Sequence, residues 1–142
     1  MRNHGARFAG GMLVTEVDQD TIYNALSGVL DPCSEFNGTR LNIVEMGLVR
    51  DISVTDDHVH VRLLLTDPAC LYYFQMAHGI EEALMALDNL RKVTVESTFD
   101  IWWSEDRMSE DASTRLKVLR SQREQEMLST RAAQRDLIAV SR

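Results

Sequence analysis

A chain of 142 residues with an ordinary globular composition forms one domain, long enough to bury a core without disulfide support. Its net charge of −7 argues against non-specific binding to nucleic acid or anionic membranes, and no apolar run is long enough to span a bilayer. The opening MRNHGARFAGGMLVTEVD lacks a sustained apolar stretch followed by a small-residue cleavage site. The expectation is therefore a cytoplasmic protein, whose two cysteines serve metal or redox chemistry, or nothing, rather than a structural staple.

Residues 1–17 hold Gly5, Gly10 and Gly11, show no period and read as a flexible lead-in. From residue 18 the pattern turns helical. Asp18 or Asp20 supplies a cap, Ile22, Leu26, Val29 and Leu30 fall at helical spacing, and the helix stops before Pro32. CSEFNGTRLN reads as a loop with Asn37-Gly38 as its turn. GLVRDISV and HVHVRLLLT read as a hairpin about Asp56-Asp57, with Val59, Val61 and Leu63 on one face and His58, His60 and Arg62 on the other. His58 and His60, two apart on one strand, have a spacing that can ligate metal, but a solvated strand face is the better reading.

A second helix follows, with Tyr73, Ala77, Ile80, Leu84 and Leu87 as its apolar stripe and Tyr72, Tyr73 and Phe74 mostly packed inside. KVTVESTFDIWW gives a third strand. Ser109 then caps a long third helix with Glu110 and Asp111 in its first turn. Leu116, Leu119, Met127, Leu128, Leu137 and Ile138 leave it an incomplete stripe, which fits partial packing or partner docking better than a coiled coil. The acidity lies ahead of this helix: residues 1–103 carry 7 Lys/Arg against 15 Asp/Glu. The expected fold is α+β in the order α-β-β-α-β-α, a small mixed sheet with helices packed on it. Its parts are a lead-in over 1–17, an α+β domain over 18–108 and an extended C-terminal helix over 109–142.

Several stretches in order, VLDPCS, NIVEMGLVRDISV, VRLLLTDPAC, VTVE and WWSEDRMSEDASTRL, resemble the SufT/PaaD-like metal–sulfur cluster assembly family over about residues 20–117. The matching features are Asp31-Pro32, Glu45-Met46-Gly47-Leu48-Val49, Thr66 with Cys70 four residues on, and Trp102 or Trp103 ahead of Met108-Ser109. Two positions depart from the pattern. Cys33 follows Asp31-Pro32 where many relatives have Glu, and Leu71 follows Cys70 where many have Pro. The resemblance implies a non-enzymatic factor that delivers or installs an iron–sulfur cluster or iron centre, carried transiently, into a client apo-protein. A component of a multicomponent oxygenase is one such client. Other cluster-assembly proteins are implied partners, and a homodimer is a further option.

The residues can be weighed beside that resemblance. Asp67-Pro68 suits a helix entry, which would put Cys70 in a first helical turn where unpaired N–H groups and the dipole favour thiolate. The plainer reading is a small buried hydrophobe. Cys33 is an added thiol or an unremarkable loop residue. Two cysteines do not complete a four-thiolate site in one chain, so a carboxylate, a histidine or a second chain would have to contribute. Asp31 is a third candidate ligand or a turn-capping residue. Glu45 and Thr66 have supporting roles, Thr66 as a cap at the strand end. Of Trp102 and Trp103, one belongs to the core and the other roofs the Cys70 site or an interface.

No nucleophile with a named base, phosphate loop, HExxH or CxxC is present, so an enzyme is not expected. The competing function is a metal-free interaction module, a chaperone for an oxygenase subunit. A small thiol enzyme is a third and weaker reading.

Overall fold

The computed structural model describes residues 7–9, 12–14 and 17–141. Arg7–Ala9 (β1) and Met12–Val14 (β2) pair antiparallel, with Phe8 opposite Leu13. The rest of the expected lead-in, apart from Val17, lies outside the described residues.

Helix α1 spans Gln19–Leu26. Asp18 caps it by accepting the Thr21 N–H at 2.7 Å, and Ile22 and Leu26, one turn apart, are fully buried. The helix ends well short of Pro32. Val29 is buried in the turn beyond, and Leu30 bridges to Asn42 as an isolated β pair.

Pro32 opens a second helix, α2 (Pro32–Asn37), where a loop is expected from the sequence. The physical reason is local. Asp31 caps it, proline suits the first helical position where no N–H is needed, and Gly38 at φ 85° closes it in the left-handed conformation.

Strands β3 (Val49–Thr55) and β4 (His58–Leu64) form the expected hairpin, turning at Asp56, whose φ is 54°. Strand β5 (Lys92–Thr98) pairs parallel with β4, Val61 opposite Val95. The sheet order is β3-β4-β5, a mixed sheet with β4 in the centre. Helix α3 (Tyr73–Met85) is the crossover that a parallel pair requires.

Val59, Val61 and Leu63 alternate inward and share one core with Ile22, Leu26, Met76, Ile80 and Leu84. Each such side chain, fully buried, contributes roughly 1.5–3 kcal/mol. The opposite sheet face is polar but not bare. His58 meets Thr94 Oγ1 at 2.8 Å, and Arg62 reaches Asp51 at 2.8 Å and Glu96 at 3.5 Å. His60 Nε2 lies 3.3 Å from the Glu96 carboxylate but is not aligned for a hydrogen bond. The two histidines are thus half-buried and face β5 rather than lying solvated.

After β5 a 3₁₀ turn (Glu105–Arg107) leads to α4 (Glu110–Val140), which Ser109 caps through the Ala112 N–H. Ala112 is fully buried and Leu116 packs on the core, whereas every described residue from Arg120 onward is exposed. Arginines fasten the packed end. Arg115 donates to the Thr39 and Arg40 carbonyls, Arg120 to Glu105, and Arg123 to the Asn37 carbonyl. An open cleft of about 440 Å³ lies between α4 and residues 38–40, and neither cysteine lines it. No helix among the described residues is long and apolar enough to cross a membrane.

Candidate metal site

Cys33 lies in the first turn of α2, directly after the proline. Its N–H and that of Ser34 donate to the two Asp31 carboxylate oxygens, at 3.3 and 3.1 Å. Asp31 is only 3% exposed, and burial raises its pKa above the ordinary carboxylate value, opposed by those two backbone N–H groups. Asp31 is therefore a helix cap, and the carboxylate stands beside Cys33 as part of the same turn.

Cys70 is in the loop between β4 and α3. The sequence places it in a first helical turn, but α3 begins only at Tyr73, so the dipole argument for Cys70 loses its footing. The turn is a local one. Asp67 Oδ1 accepts the Ala69 N–H at 2.8 Å, and the Cys70 N–H donates to the Asp67 carbonyl at 3.0 Å. Asp67, not Thr66, organises this corner, and Thr66 is exposed.

The two cysteines come together. The Cys70 thiol lies close enough to Cys33 to be among the groups that hold the Cys33 thiol above its ordinary pKa. Both are free and partly buried. Burial pushes the Cys33 thiol above its ordinary pKa, with the Asp31 carboxylate, Cys70 and the Asp67 carboxylate adding to the effect. A bound cation would reverse this balance, because the charges that oppose thiolate also attract metal. Among the described residues no set of three or more His, Cys, Asp or Glu side chains is grouped to hold a metal ion.

The other residues singled out from the sequence act at a second locus. Glu45 accepts the Asn42 N–H at 2.9 Å and meets Arg115 at 3.4 Å. Trp103 packs on the core and donates from Nε1 to the Met46 carbonyl at 2.7 Å, whereas Trp102 is 73% exposed. Both tryptophans follow β5 rather than lying within it. Gly47 shows how closely these two motifs meet. It sits at φ 67°, and a Cβ there would lie 2.2 Å from the Arg107 carbonyl oxygen. Arg107 donates to the Gly47 carbonyl at 3.0 Å, and the Ser109 N–H donates to the Glu45 carbonyl at 2.9 Å. The Glu-Met-Gly stretch and the Trp–Met-Ser stretch are two sides of one close backbone contact.

Sequence reasoning missed a set of exposed apolar side chains, termed the apolar rim, on the segments that carry the thiols. Phe36 on α2 stacks obliquely against Tyr72, ring centres 5.4 Å apart, tying α2 to the start of α3. Phe36, Leu71 and Phe74 are 75%, 88% and 80% exposed. Phe74 is expected in the core from its aromatic neighbours. The buried stripe of α3 is Met76, Ile80 and Leu84, joined by Tyr73, and Phe74 falls off that stripe. The helical period alone carries that signal.

The fold is thus a small α+β domain that brings a pair of free thiols to a loop–helix corner. The model of the family described as iron-sulfur cluster assembly protein matches residues 19–97, and the chain belongs to that family. An uncharacterized protein of Methanocaldococcus jannaschii is 36% identical over 80 residues, covering 56% of this chain and 79% of that protein. An Fe-S protein maturation auxiliary factor of Bacillus subtilis is 27% identical over 104 residues, 72% of this chain and 97% of that protein. Among solved structures, a conserved hypothetical protein of Thermotoga maritima aligns with a TM-score of 0.60 at 30% identity, covering 73% of this chain and 98% of that one. A domain of unknown function from Bacillus anthracis shares the fold, with a TM-score of 0.64 at 22% identity, covering 70% of this chain and 92% of that one.

Proposed function

We propose that this protein carries an iron–sulfur cluster or an iron centre as cargo on Cys33 and Cys70 and passes it to a client apo-protein. The observation that carries the reading is the meeting of those two thiols, from separate elements, in a chain of this family. Asp31 holds the Cys33 turn in place and adds negative charge beside the cargo. Loading releases the thiol protons, so binding strengthens with pH. Glu45, Trp103 and Gly47 support the site indirectly by fixing the backbone contact that anchors α4. Thr66, exposed beside the Asp67 turn, flanks the approach to Cys70, and Trp102 offers an exposed contact for partners.

A component of a multicomponent oxygenase is the client class we favour. Other cluster-assembly proteins supply the cargo, and the setting is the cytoplasm. The test is anaerobic purification with assay of bound iron, sulfide and zinc in the natural chain, Cys33→Ser and Cys70→Ser, paired with client maturation. Cys70→Ser is expected to abolish both cargo and maturation with the fold intact. A Cys70→Ser protein that matures its client at the natural level overturns the reading.

A second reading, a metal-free chaperone for an oxygenase subunit, draws on the exposed outer length of α4, where Met127, Leu128, Leu137 and Ile138 face solvent. It predicts client binding without metal, and binding that is lost on removal of that length.

A further inference from the structure

We propose that the metal site is completed by a second copy of this chain, two Cys33–Cys70 pairs enclosing one thiophilic divalent cation in a four-thiolate shell, with the apolar rim as the contact surface. This rests on the carrier reading above and names the partner that finishes the site.

The reasoning begins with the donor count. The chain has only two cysteines, and among the described residues no third His, Cys, Asp or Glu joins them in a metal-holding group. A thiophilic cation such as Fe²⁺ or Zn²⁺ takes four ligands in a tetrahedral shell. A second copy brings the same pair through a two-fold, self-complementary contact. As four metal–sulfur bonds form, the four thiol protons leave to solvent, and no oxidation state changes.

The surface around the thiols suits such a contact. Phe36, Leu71 and Phe74 stand exposed on the two segments that carry Cys33 and Cys70, and Tyr72 braces Phe36 from the side. The Phe36–Tyr72 contact brings the two segments together, and exposed apolar groups that lie close mark an interaction site. Their size also sets the character of the contact. Three such side chains offer roughly 450 Å² per copy, at about 150 Å² each. A stable dimer needs about 800 Å² per partner. Glu35 and Asp67, exposed on the same segments, add like-charge repulsion between copies. The rim therefore orients two copies but does not hold them. The cation does, and the dimer exists only when metal is bound.

The experiment titrates the full, reduced chain with Co²⁺ under anaerobic conditions, following thiolate charge-transfer and d–d absorption while light scattering reports mass. The expected result is a doubling of mass that saturates at one Co²⁺ per two chains, with a tetrahedral thiolate spectrum. Cys33→Ser and Cys70→Ser each abolish both signals. Leu71→Asp and Phe74→Asp, at exposed positions that leave the fold unchanged, weaken the metal-dependent dimer at least tenfold. Cysteine-dependent Co²⁺ binding at monomer mass overturns the shared site and leaves the carrier reading standing. A dimer indifferent to both rim substitutions overturns the contact surface. A chain with no cysteine-dependent metal binding overturns this inference and the carrier reading together.

Discussion

Replacing Gly47 with alanine probes the contact that joins the segment before β3 to the segment before α4. The new Cβ would sit 2.2 Å from the Arg107 carbonyl oxygen and 2.6 Å from its carbon, distances that real Cβ atoms do not adopt. The obstruction is backbone, so it cannot be relieved by a rotamer change. Holding alanine at φ 67° costs about 1–2 kcal/mol. Moving residues 103–109 away strains three hydrogen bonds: Trp103 to Met46, Arg107 to Gly47 and Ser109 to Glu45. Losing two of them removes about 2 kcal/mol. The total is about 3–4 kcal/mol, which for a domain of this size lowers Tm by roughly 10 °C. Urea denaturation measures the loss, and amide exchange at residues 103–109 locates it. Gly79→Ala is the control. It lies within α3 and meets only the Val29 side chain, at 3.2 Å, so its effect stays within about 1 kcal/mol of zero. A loss below about 1 kcal/mol for Gly47→Ala, with exchange at 103–109 unchanged, would refute the argument.

Asp31 separates capping from charge. Asp31→Ala loses the α2 cap and about 1 kcal/mol in urea denaturation, whereas Asp31→Asn keeps an acceptor oxygen and stays within about 0.5 kcal/mol. Because burial raises the Asp31 pKa, the folded state holds its proton more tightly than the unfolded state does. Its contribution is therefore most favourable below pH 3.8 and is lost as pH rises through the raised value, so Asp31→Asn gains stability relative to the natural chain over that window. For Cys33 the same sign applies to reactivity. In the metal-free Cys70→Ser protein, iodoacetamide labelling of Cys33 rises with pH with a midpoint above 9.0, and a midpoint at or below that value contradicts the geometry. Finally, truncation after residue 124 removes a stretch whose described residues are all exposed and leaves Tm within a few degrees, while Arg115→Ala, which frees the Thr39 and Arg40 carbonyls, costs about 1–2 kcal/mol by thermal melting.

Much of this fold is legible from periodicity. The alternation of Val59, Val61 and Leu63 and the helical spacing of Ile80 and Leu84 fix which faces are buried, and the Asp56-Asp57 hairpin and the Ser109 cap stand as expected. Helix α2 is less legible because six residues are too few to show a period. Its evidence is the flanking Asp31, Pro32 and Gly38, which read equally well as a turn. The β1–β2 pairing has strands of three residues and no pattern to find. The start of α3 lies three residues beyond Cys70 because Asp67 and Pro68 form their own turn first, and a helix entry and an isolated turn share the same residue preferences. At the site, the thiols are legible singly. Their approach is not, since it depends on α2 folding back towards residues 70–72, a tertiary fact marked in the sequence only by Phe36 and Tyr72.

Helix α4 gives the molecule a mechanical property that its compact part lacks. At 1.5 Å per residue its 31 residues extend about 46 Å, and the stretch beyond the Arg123 anchor makes up roughly 25 Å of that. This stretch works as a rigid outrigger. It slows rotational tumbling about one axis far more than about the other. A partner gripping its tip is held at a set stand-off from the domain, so grip at the tip and chemistry at the domain become separable steps. Shortening the outrigger by whole turns would change the spacing by about 5.4 Å each time without touching the core.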